Sequence, residues 1–368
     1  MKKEMNDKLQ AITARLIDQH AARIIVPPYE DAAGFWFGGG NMVEAPDGDL
    51  YLVGRYRNHG DSRTGLEKGA RGLELSVLKS SDRGSTFEHF YTFTKNDLST
   101  ATSRVLSIEG AALRLDTSGA ELFVSTEKVD VSYPPSVEEF QKPGTGVWSI
   151  DRLSADSIEG LKVAPLQPFL SFDLPEYLHV KDPAVHQTAS GDTVLIFCHH
   201  PFNWSSSNAG YCVRRGGETQ FSQPDFSFFS RGATWDVAVS RITDLLTLPA
   251  EVVGSAEPVQ AVFYDGAECM RPHDQNPMGV KRPRGYSCEE IAGLASYSGE
   301  RIREIRRIST VFPLFTSPWG TGCSRYIHTC ATADGVYATW QQSQPSGAQP
   351  LVMRYLSWEE IREEARRN

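Results

Sequence analysis

The sequence predicts an all-β protein, a five-bladed β-propeller with short helices at both ends. Three observations indicate this fold. Hairpin-like segments recur at a fixed interval, each has a glycine at its turn, and the interval fits into the chain length five times. The chain has 368 residues, of which 40% are hydrophobic and 23% charged, a composition typical of a folded globular protein.

The repeating unit is an apolar strand, a turn containing glycine, and a second apolar strand. Four such segments are present, at 38–56, 107–128, 180–200 and 324–343. Their turn glycines are Gly48, Gly119, Gly191 and Gly335, spaced by 71, 72 and 144 residues. Since 144 is twice 72, one more unit is expected between the last two glycines, and 234–246 followed by 258–270 supplies it.

A fixed-period array of β-hairpins is typical of a propeller. Five intervals of 72 residues make 360, nearly the whole chain of 368. Glycine suits the turns because tight hairpin turns need a positive φ. A six-bladed propeller, a large β-sandwich and a β-helix are the alternatives.

Helices are predicted at both ends of one domain that spans 1–368. Over residues 1–25, Leu9, Ile12, Leu16 and Ile24 fall near one stripe of an amphipathic helix. Over residues 357–368, Ser357 and Glu360 have the spacing of a capping box at the start of a charged helix.

Charge and cysteine content limit the functional classes. The net charge of −9 argues against a nucleic-acid or anionic-membrane surface. The N-terminal segment lacks the apolar core of a signal peptide, and the six cysteines show no metal-ligand spacing. We therefore expect a cytoplasmic protein with reduced, mostly buried thiols. The sequence leaves the oligomeric state open.

The innermost strand of each blade lines the channel of a propeller. Aligning these strands on their apolar cores places Glu109, Asp182 and Asp236 at equivalent positions near one mouth. Blade one offers Gly40-Asn41 there, and blade five offers Arg325 and Tyr326. Carboxylates that converge on one axis repel each other and raise at least one pKa, so their convergence indicates function.

The segment "KDPAV" (181–185) resembles the Asp-Pro inner-strand motif of five-bladed propeller glycosidases, which include the arabinanase, xylosidase and fructosidase families. Segments 263–272 and 287–300 are similar to parts of the same superfamily. In the fructosidase branch a Glu-Cys pair carries the general acid, and Glu268-Cys269 is similar to it. The resemblance implies a glycoside hydrolase acting on a small oligosaccharide or glycoside.

The resemblance also implies roles for the carboxylates. Asp182 would stabilise the transition state or modulate a neighbouring pKa, and Glu109 or Glu268 would be the acid. The fructosidase Asn-Asp-Pro motif of blade one is absent, and "FWFGGGNMV" (35–43) stands in its place. The base therefore stays unassigned among Asp236, Asp31 and Glu30.

Other residues are predicted to bind substrate. Arg55 and Arg57 enter a polar loop, and their guanidinium groups suit a carboxylate. Trp235 could form the floor of a sugar site, and His199 could bond a sugar hydroxyl. The remaining candidates are Arg271, Arg325 and Tyr326. No cofactor is expected to be required, although a channel ion such as Ca²⁺, held by carboxylates and water, is compatible with the pattern.

Two further functions are retained as alternatives. "SSDRGSTF" (80–87) matches the Asp-box turn of sialidases, and Arg55, Arg271 and Arg325 are candidates for their arginine triad. In such a turn Asp82 caps backbone amides, so its expected role is structural. A sialidase-like hydrolase of an acidic sugar is one alternative. A non-catalytic carbohydrate-binding propeller is the other.

Overall fold

The computed structural model describes residues 2–57, 72–129, 131–141, 143–202, 206–268 and 290–367. It begins with helix α1 (Lys2–Leu16) and strand β1 (Arg23–Val26). Leu9, Ile12 and Leu16 are fully buried, as the apolar stripe predicts. The expectation of one helix over residues 1–25 is wrong at its end. Residues 23–26 pair instead with a C-terminal strand, which leaves Ile24 50% exposed.

Blades one and two are antiparallel sheets built in chain order from the inside outwards. The inner strand of blade one is split into two short pieces, β2 and β3, which both pair with β4. Blade one consists of β2 (Phe37–Gly38), β3 (Met42–Glu44), β4 (Leu50–Tyr56), β5 (Glu74–Ser80) and β6 (Glu88–Thr94). Blade two consists of β7 (Val105–Asp116), β8 (Gly119–Lys128), β9 (Val147–Ala155), helix α2 (Ile158–Leu161) and β10 (Gln167–Leu170).

Blades three and four repeat this order. Blade three consists of β11 (His179–Gln187), β12 (Thr193–His200), β13 (Asn208–Arg214) and β14 (Asp225–Phe229). Blade four consists of β15 (Val239–Leu248), helix α3 (Ala250–Val253), β16 (Val259–Ala267), β17 (Ile291–Ser298) and β18 (Arg306–Arg307).

Blade five closes the ring. It consists of β19 (Ser324–Ala331), β20 (Gly335–Gln342) and β21 (Leu351–Ser357), with β1 as its outer strand. Helix α4 (Trp358–Arg367) follows. Its predicted capping box is confirmed, because the backbone N–H of Ser357 donates to Glu360 at 2.9 Å and that of Glu360 to Ser357 Oγ at 3.2 Å. The described residues thus form five blades, and the predicted fold is confirmed.

Apolar clusters fill the spaces between blades. One of them joins blades four and five to helices α1 and α4. Burial of such surface stabilises the fold by roughly 25 cal/mol per Å². Cys198, Cys212, Cys323 and Cys330 are buried, as expected. Cys269 and Cys288 lie outside the described residues. Among those described, no helix is both long enough and apolar enough to cross a bilayer.

The turn glycines are needed for two different reasons, a positive φ and a close backbone contact. Gly48, Gly119 and Gly191 have φ of 88°, 126° and 84°, the left-handed region that the hairpin turns need. Gly335 is needed for a different reason. A Cβ there would lie 2.2 Å from the carbonyl oxygen of Leu356, on the neighbouring strand.

Candidate functional site

All five inner strands are interrupted at the same level of the channel. Two bulge residues stand opposite one partner residue in blades two, three and five, at Glu109-Gly110, Asp182-Pro183 and Tyr326-Ile327. In blade one the interruption is the break between β2 and β3, and in blade four it is a one-residue shift after Ile242. A bulge re-aims side chains locally. Residues from all five interruptions, among them Gly110, Asp182 and Tyr326, line an axial cavity of about 20 Å³, roughly the space of one water molecule.

The bulges hold unusual backbone conformations. Asp182 has φ of 51° and Tyr326 has φ of 52°, while Gly39 of blade one has φ of 74°. A non-glycine residue with positive φ is strained and persists only where its surroundings hold it. Ser125 supplies part of that support, since its hydroxyl accepts from the Asp182 N–H at 3.2 Å and donates to the Gly110 carbonyl at 2.7 Å. Two blades are thus tied together at the bulges.

Arg241 is the centre of the charged cluster below the mouth. Its guanidinium lies 2.9 Å from Asp182, 2.6 Å from Asp265 and 3.0 Å from Glu290. All four side chains are at most 5% exposed. The guanidinium also lies 4.0 Å from the ring centre of Tyr326. One cation therefore compensates carboxylates of blades three and four.

Two further arginines are more exposed than Arg241, and each pairs with a carboxylate. Arg55 donates to Glu109 at 2.9 Å, and Arg325 to Glu290 at 2.6 Å. Both guanidinium groups flank Trp36, at 4.5 and 5.5 Å from its ring centre. The Glu109 side chain is 11% exposed, compared with 3% for Asp182. Glu109 is therefore the better placed of these two carboxylates to meet a ligand.

Burial and charge move the carboxyl pKa values in different directions. Burial raises the pKa of Asp265 to about 6, although Arg241 opposes the shift. Burial also acts to raise the pKa of Glu290, but Arg241 and Arg325 outweigh it and lower that pKa to about 2. The pKa of Asp182 falls below its ordinary value because Arg241 and Lys181 outweigh the effect of burial. The cluster thus contains ionised carboxylates and one carboxyl group that titrates near neutrality.

The predicted placement of Asp236 on an inner strand is wrong. It lies in the loop before β15 and binds Arg307 of β18 at 2.7 Å. The predicted role of Trp235 as a sugar floor is also wrong, because this side chain is 1% exposed. It donates to the Ser309 carbonyl at 3.0 Å and stacks on Tyr264. Strand β15 begins only at Val239, so Val237 and Ala238, the apolar residues that follow Asp236, precede the strand, and Val237 is 47% exposed.

His199 does not reach the mouth. It is 3% exposed, and its Nε2 lies 3.1 Å from the Phe226 carbonyl in an aromatic cluster. The prediction that His199 contacts a sugar is wrong, since its side chain lies on the other face of β12 from that of Cys198, which contacts Asp182 at 3.6 Å. Glu268 follows β16 at its mouth end and is half-buried. Arg57 follows β4 and is 5% exposed.

The other candidate residues are either exposed or outside the described part of the chain. Arg271 and Cys269 lie outside the described residues. Asp31 is exposed and hydrogen-bonded to Ser346, and Glu30 is also exposed. Within the described part of the chain, no group of three or more His, Cys, Asp and Glu side chains could hold a metal ion.

Arg241, Asp265 and Lys181 were missed as site residues. Arg241 interrupts an otherwise apolar strand, and a buried arginine inside a strand is itself a signal for a paired carboxylate. Asp265 resembles an Asp-Gly turn in the sequence, but it lies in β16 and accepts from the Tyr326 N–H at 3.1 Å. Through this contact, blade four holds the bulge of blade five in place.

The Asp box has the structural role predicted for it. Asp82 accepts from the Thr86 N–H at 2.9 Å and from the Thr86 hydroxyl at 2.7 Å, and Gly84 has φ of 78°. These contacts lower the pKa of Asp82 to about 2. The turn joins the two outer strands of blade one, away from the axial cavity.

Comparison with known proteins supports the fold. No family model matches the sequence, and neither does any curated protein. An endo-arabinase from Bacteroides thetaiotaomicron is similar in structure, with 10% identity and a TM-score of 0.51 over 91% of this chain and 97% of that one. A GH43_1 enzyme from Xanthomonas citri, complexed with xylose, has 12% identity and a TM-score of 0.53 over 95% and 93%.

A xylan β-1,4-xylosidase from Bacillus halodurans has 13% identity and a TM-score of 0.55, over 91% of this chain and 55% of its own. These neighbours are glycoside hydrolases of the arabinanase and xylosidase type, as the motif resemblance implied. At such identities the likeness establishes a shared fold. One fold hosts many activities, so the reaction depends on the residues at the mouth.

Proposed function

We propose that this protein is a glycoside hydrolase that cleaves a small oligosaccharide or glycoside at the channel mouth. The observation that supports it best is the convergence of carboxylates from three blades on one end of the axis. Glu109 comes from blade two, Asp182 from blade three, and Asp265 from blade four. Glycoside hydrolysis needs two carboxyl groups around the scissile bond and stabilisation of a cationic transition state.

Glu109 is proposed as the carboxyl group that transfers a proton. Its side chain is 11% exposed, compared with at most 5% for Asp182, Asp265 and Glu290, and Arg55 and Ser107 orient it. Asp182, kept ionised beside Arg241, would stabilise the positive charge that develops on the sugar. Glu268, at the mouth end of β16, is proposed as the second proton-transfer group.

The sialidase-like alternative has one favourable observation. The guanidinium groups of Arg241 and Arg325 lie 4.0 and 5.5 Å from the ring centre of Tyr326. Arg55, Arg241 and Arg325 are, however, each bound to a carboxylate of the protein. A substrate carboxylate would have to compete for them, so this alternative ranks second.

The test is hydrolysis of a panel of aryl-glycosides and oligosaccharides by wild type and Glu109→Gln. We expect cleavage of at least one substrate class by wild type and its loss in the variant. Sugar binding by calorimetry without cleavage of any substrate would favour the non-catalytic carbohydrate-binding alternative. NMR of the first-formed anomer would report whether the enzyme retains or inverts configuration.

A further inference from the structure

Lys181 is a cation at the mouth without a direct polar partner. Its ammonium makes no hydrogen bond and no ion pair with any residue the structure describes. It lies 5.4 Å from the ring centre of Trp148. The side chain is half-buried. Arg55, Arg241 and Arg325 differ in this respect, because each binds a carboxylate directly.

The ammonium faces the same cluster as these arginines. Asp182 and Glu109 both act on Lys181 electrostatically, and together they outweigh burial and raise its pKa. Lys181 in turn helps to lower the pKa of Asp182 and of Glu290. It therefore stays charged over the Trp148 ring, within electrostatic range of Glu109, the carboxylate proposed to meet a ligand.

The mouth has two layers of opposite net charge. The deep layer holds one cation, Arg241, and three carboxyl groups, Asp182, Asp265 and Glu290. Among the described residues, the outer layer holds Arg55, Arg325 and Lys181 together with two carboxylates, Glu109 and Glu268. A sugar ring at the opening would meet an excess of positive charge in the outer layer. The cationic transition state would meet the excess of carboxylates below it.

We propose that Lys181 binds an anionic substituent of the substrate, either a carboxylate or a sulfate ester. The proposal rests on the proposed function and names the substrate class as an acidic sugar. A half-buried ammonium gains most from an acceptor that carries charge, and the Trp148 face offers attraction without any acceptor. Lysine acts as a compact point charge with three donors, which suits a tetrahedral sulfate as well as a carboxylate.

The experiment uses matched aryl-glycosides that differ only at C6. Each set contains the neutral sugar, its uronate and its 6-sulfate, tested at low and high salt. Lys181→Met removes the charge and keeps much of the side-chain length. Lys162→Met is the control, because its ammonium also lies beside an aromatic ring, 5.2 Å from the centre of Phe93, but far from the mouth.

We expect wild type to prefer one acidic series in kcat/KM. In Lys181→Met that preference falls by about tenfold or more, as expected for loss of a charge-assisted hydrogen bond, while Lys162→Met keeps it. The series, uronate or 6-sulfate, whose kcat/KM falls more in Lys181→Met identifies whether Lys181 binds a carboxylate or a sulfate. Equal rates on neutral and acidic sugars, or an unchanged preference in Lys181→Met, would overturn the proposal and leave the hydrolase function intact.

If wild type cleaves no member of the sets, calorimetry with free uronic and sulfated sugars decides. Binding that is lost in Lys181→Met would support the anion site and contradict the hydrolase function. Absence of binding to wild type would overturn the anion site as well.

Discussion

The guanidinium of Arg55, on the second strand of blade one, donates a hydrogen bond of 2.9 Å to the carboxylate of Glu109, on the inner strand of blade two. The two side chains are 7% and 11% exposed, so the pair is only partly screened by water. Through this contact one blade orients a carboxylate that belongs to the next. The geometry of the mouth therefore depends on how neighbouring blades pack.

Glu109→Gln should lower kcat by about 10²- to 10⁴-fold, the usual contribution of a proton-transfer group. The matched control is Glu121→Gln, a buried glutamate at the opposite end of the same blade, held by Arg114 at 2.8 Å and Arg214 at 2.5 Å. Steady-state rates on any cleaved glycoside measure both variants. Equal losses of rate in the two variants would indicate a general effect on folding.

Arg241→Met should destabilise the protein by about 3–5 kcal/mol, because it leaves Asp182 and Asp265 without their directly bound cation and Glu290 with Arg325 alone. The free energy of unfolding is measured by urea denaturation. The comparison is Arg83→Met at the surface, where Arg83 and Asp334 form a pair with side chains 80% and 66% exposed. Removing an exposed pair of this kind costs at most about 1 kcal/mol. A similar small loss in Arg241→Met would contradict the role of Arg241 as the charge centre.

Asp265 should make stability depend on pH with a defined sign. Its pKa of about 6 in the folded protein lies above that of an unfolded aspartate, which is about 4. Between these values the folded state binds more protons than the unfolded state. The stability that Asp265 contributes is therefore fully present below about pH 4 and is lost as the pH rises through about 6.

Urea denaturation of wild type and Asp265→Asn at several pH values checks this sign. The difference in unfolding free energy between them should fall from pH 4 to pH 6 and then level off. Glu290→Gln is the contrast. The pKa of Glu290 is about 2 in the folded protein, below its value of about 4 in the unfolded chain. The stability that Glu290 contributes is therefore lost as the pH falls below about 4. A rising difference for Asp265→Asn would show that Arg241 keeps Asp265 ionised.

Gly110→Ala should displace Asp182. A Cβ at residue 110 would lie 2.5 Å from Oδ1 and 3.1 Å from Cα of Asp182, too close on both counts. Overpacking of this kind costs about 1–3 kcal/mol, and activity should fall with it. In an Asp182→Ala background the clash with Oδ1 is gone, so the same substitution should cost less. Additive effects in this double-mutant cycle would show that the two residues do not touch.

The fold was predictable because its signal repeats along the chain. Gly48, Gly119 and Gly191 mark three hairpins at nearly equal spacing, and each has the positive φ that its turn requires. Strand β1 was missed because residues 23–26 are short and pair with a strand more than 300 residues away. No local pattern reveals such a partner, and the neighbouring helix pattern continues into it.

Site residues were predictable only where the sequence of a single strand was sufficient to place them. Asp182 and Glu109 directly precede apolar runs on inner strands, so alignment of those strands found both. Asp265 precedes Gly266, and an Asp-Gly pair usually marks a turn. Its place inside β16 depends on Arg241, 24 residues earlier, which supplies the buried counter-charge. Pairing across strands of this kind is set by tertiary structure.

The pairing of β1 with β21 brings together residues 330 positions apart, as at Arg23 and Met353. β1 is synthesised before the strands of blades one to four, and its partner strand after them, so β1 stays unpaired while those four blades form. Until then its edge and that of blade five stay open to other chains. Ring closure is therefore the step at which concentration and chaperones should matter most, and a slow final phase of refolding would be its kinetic signature.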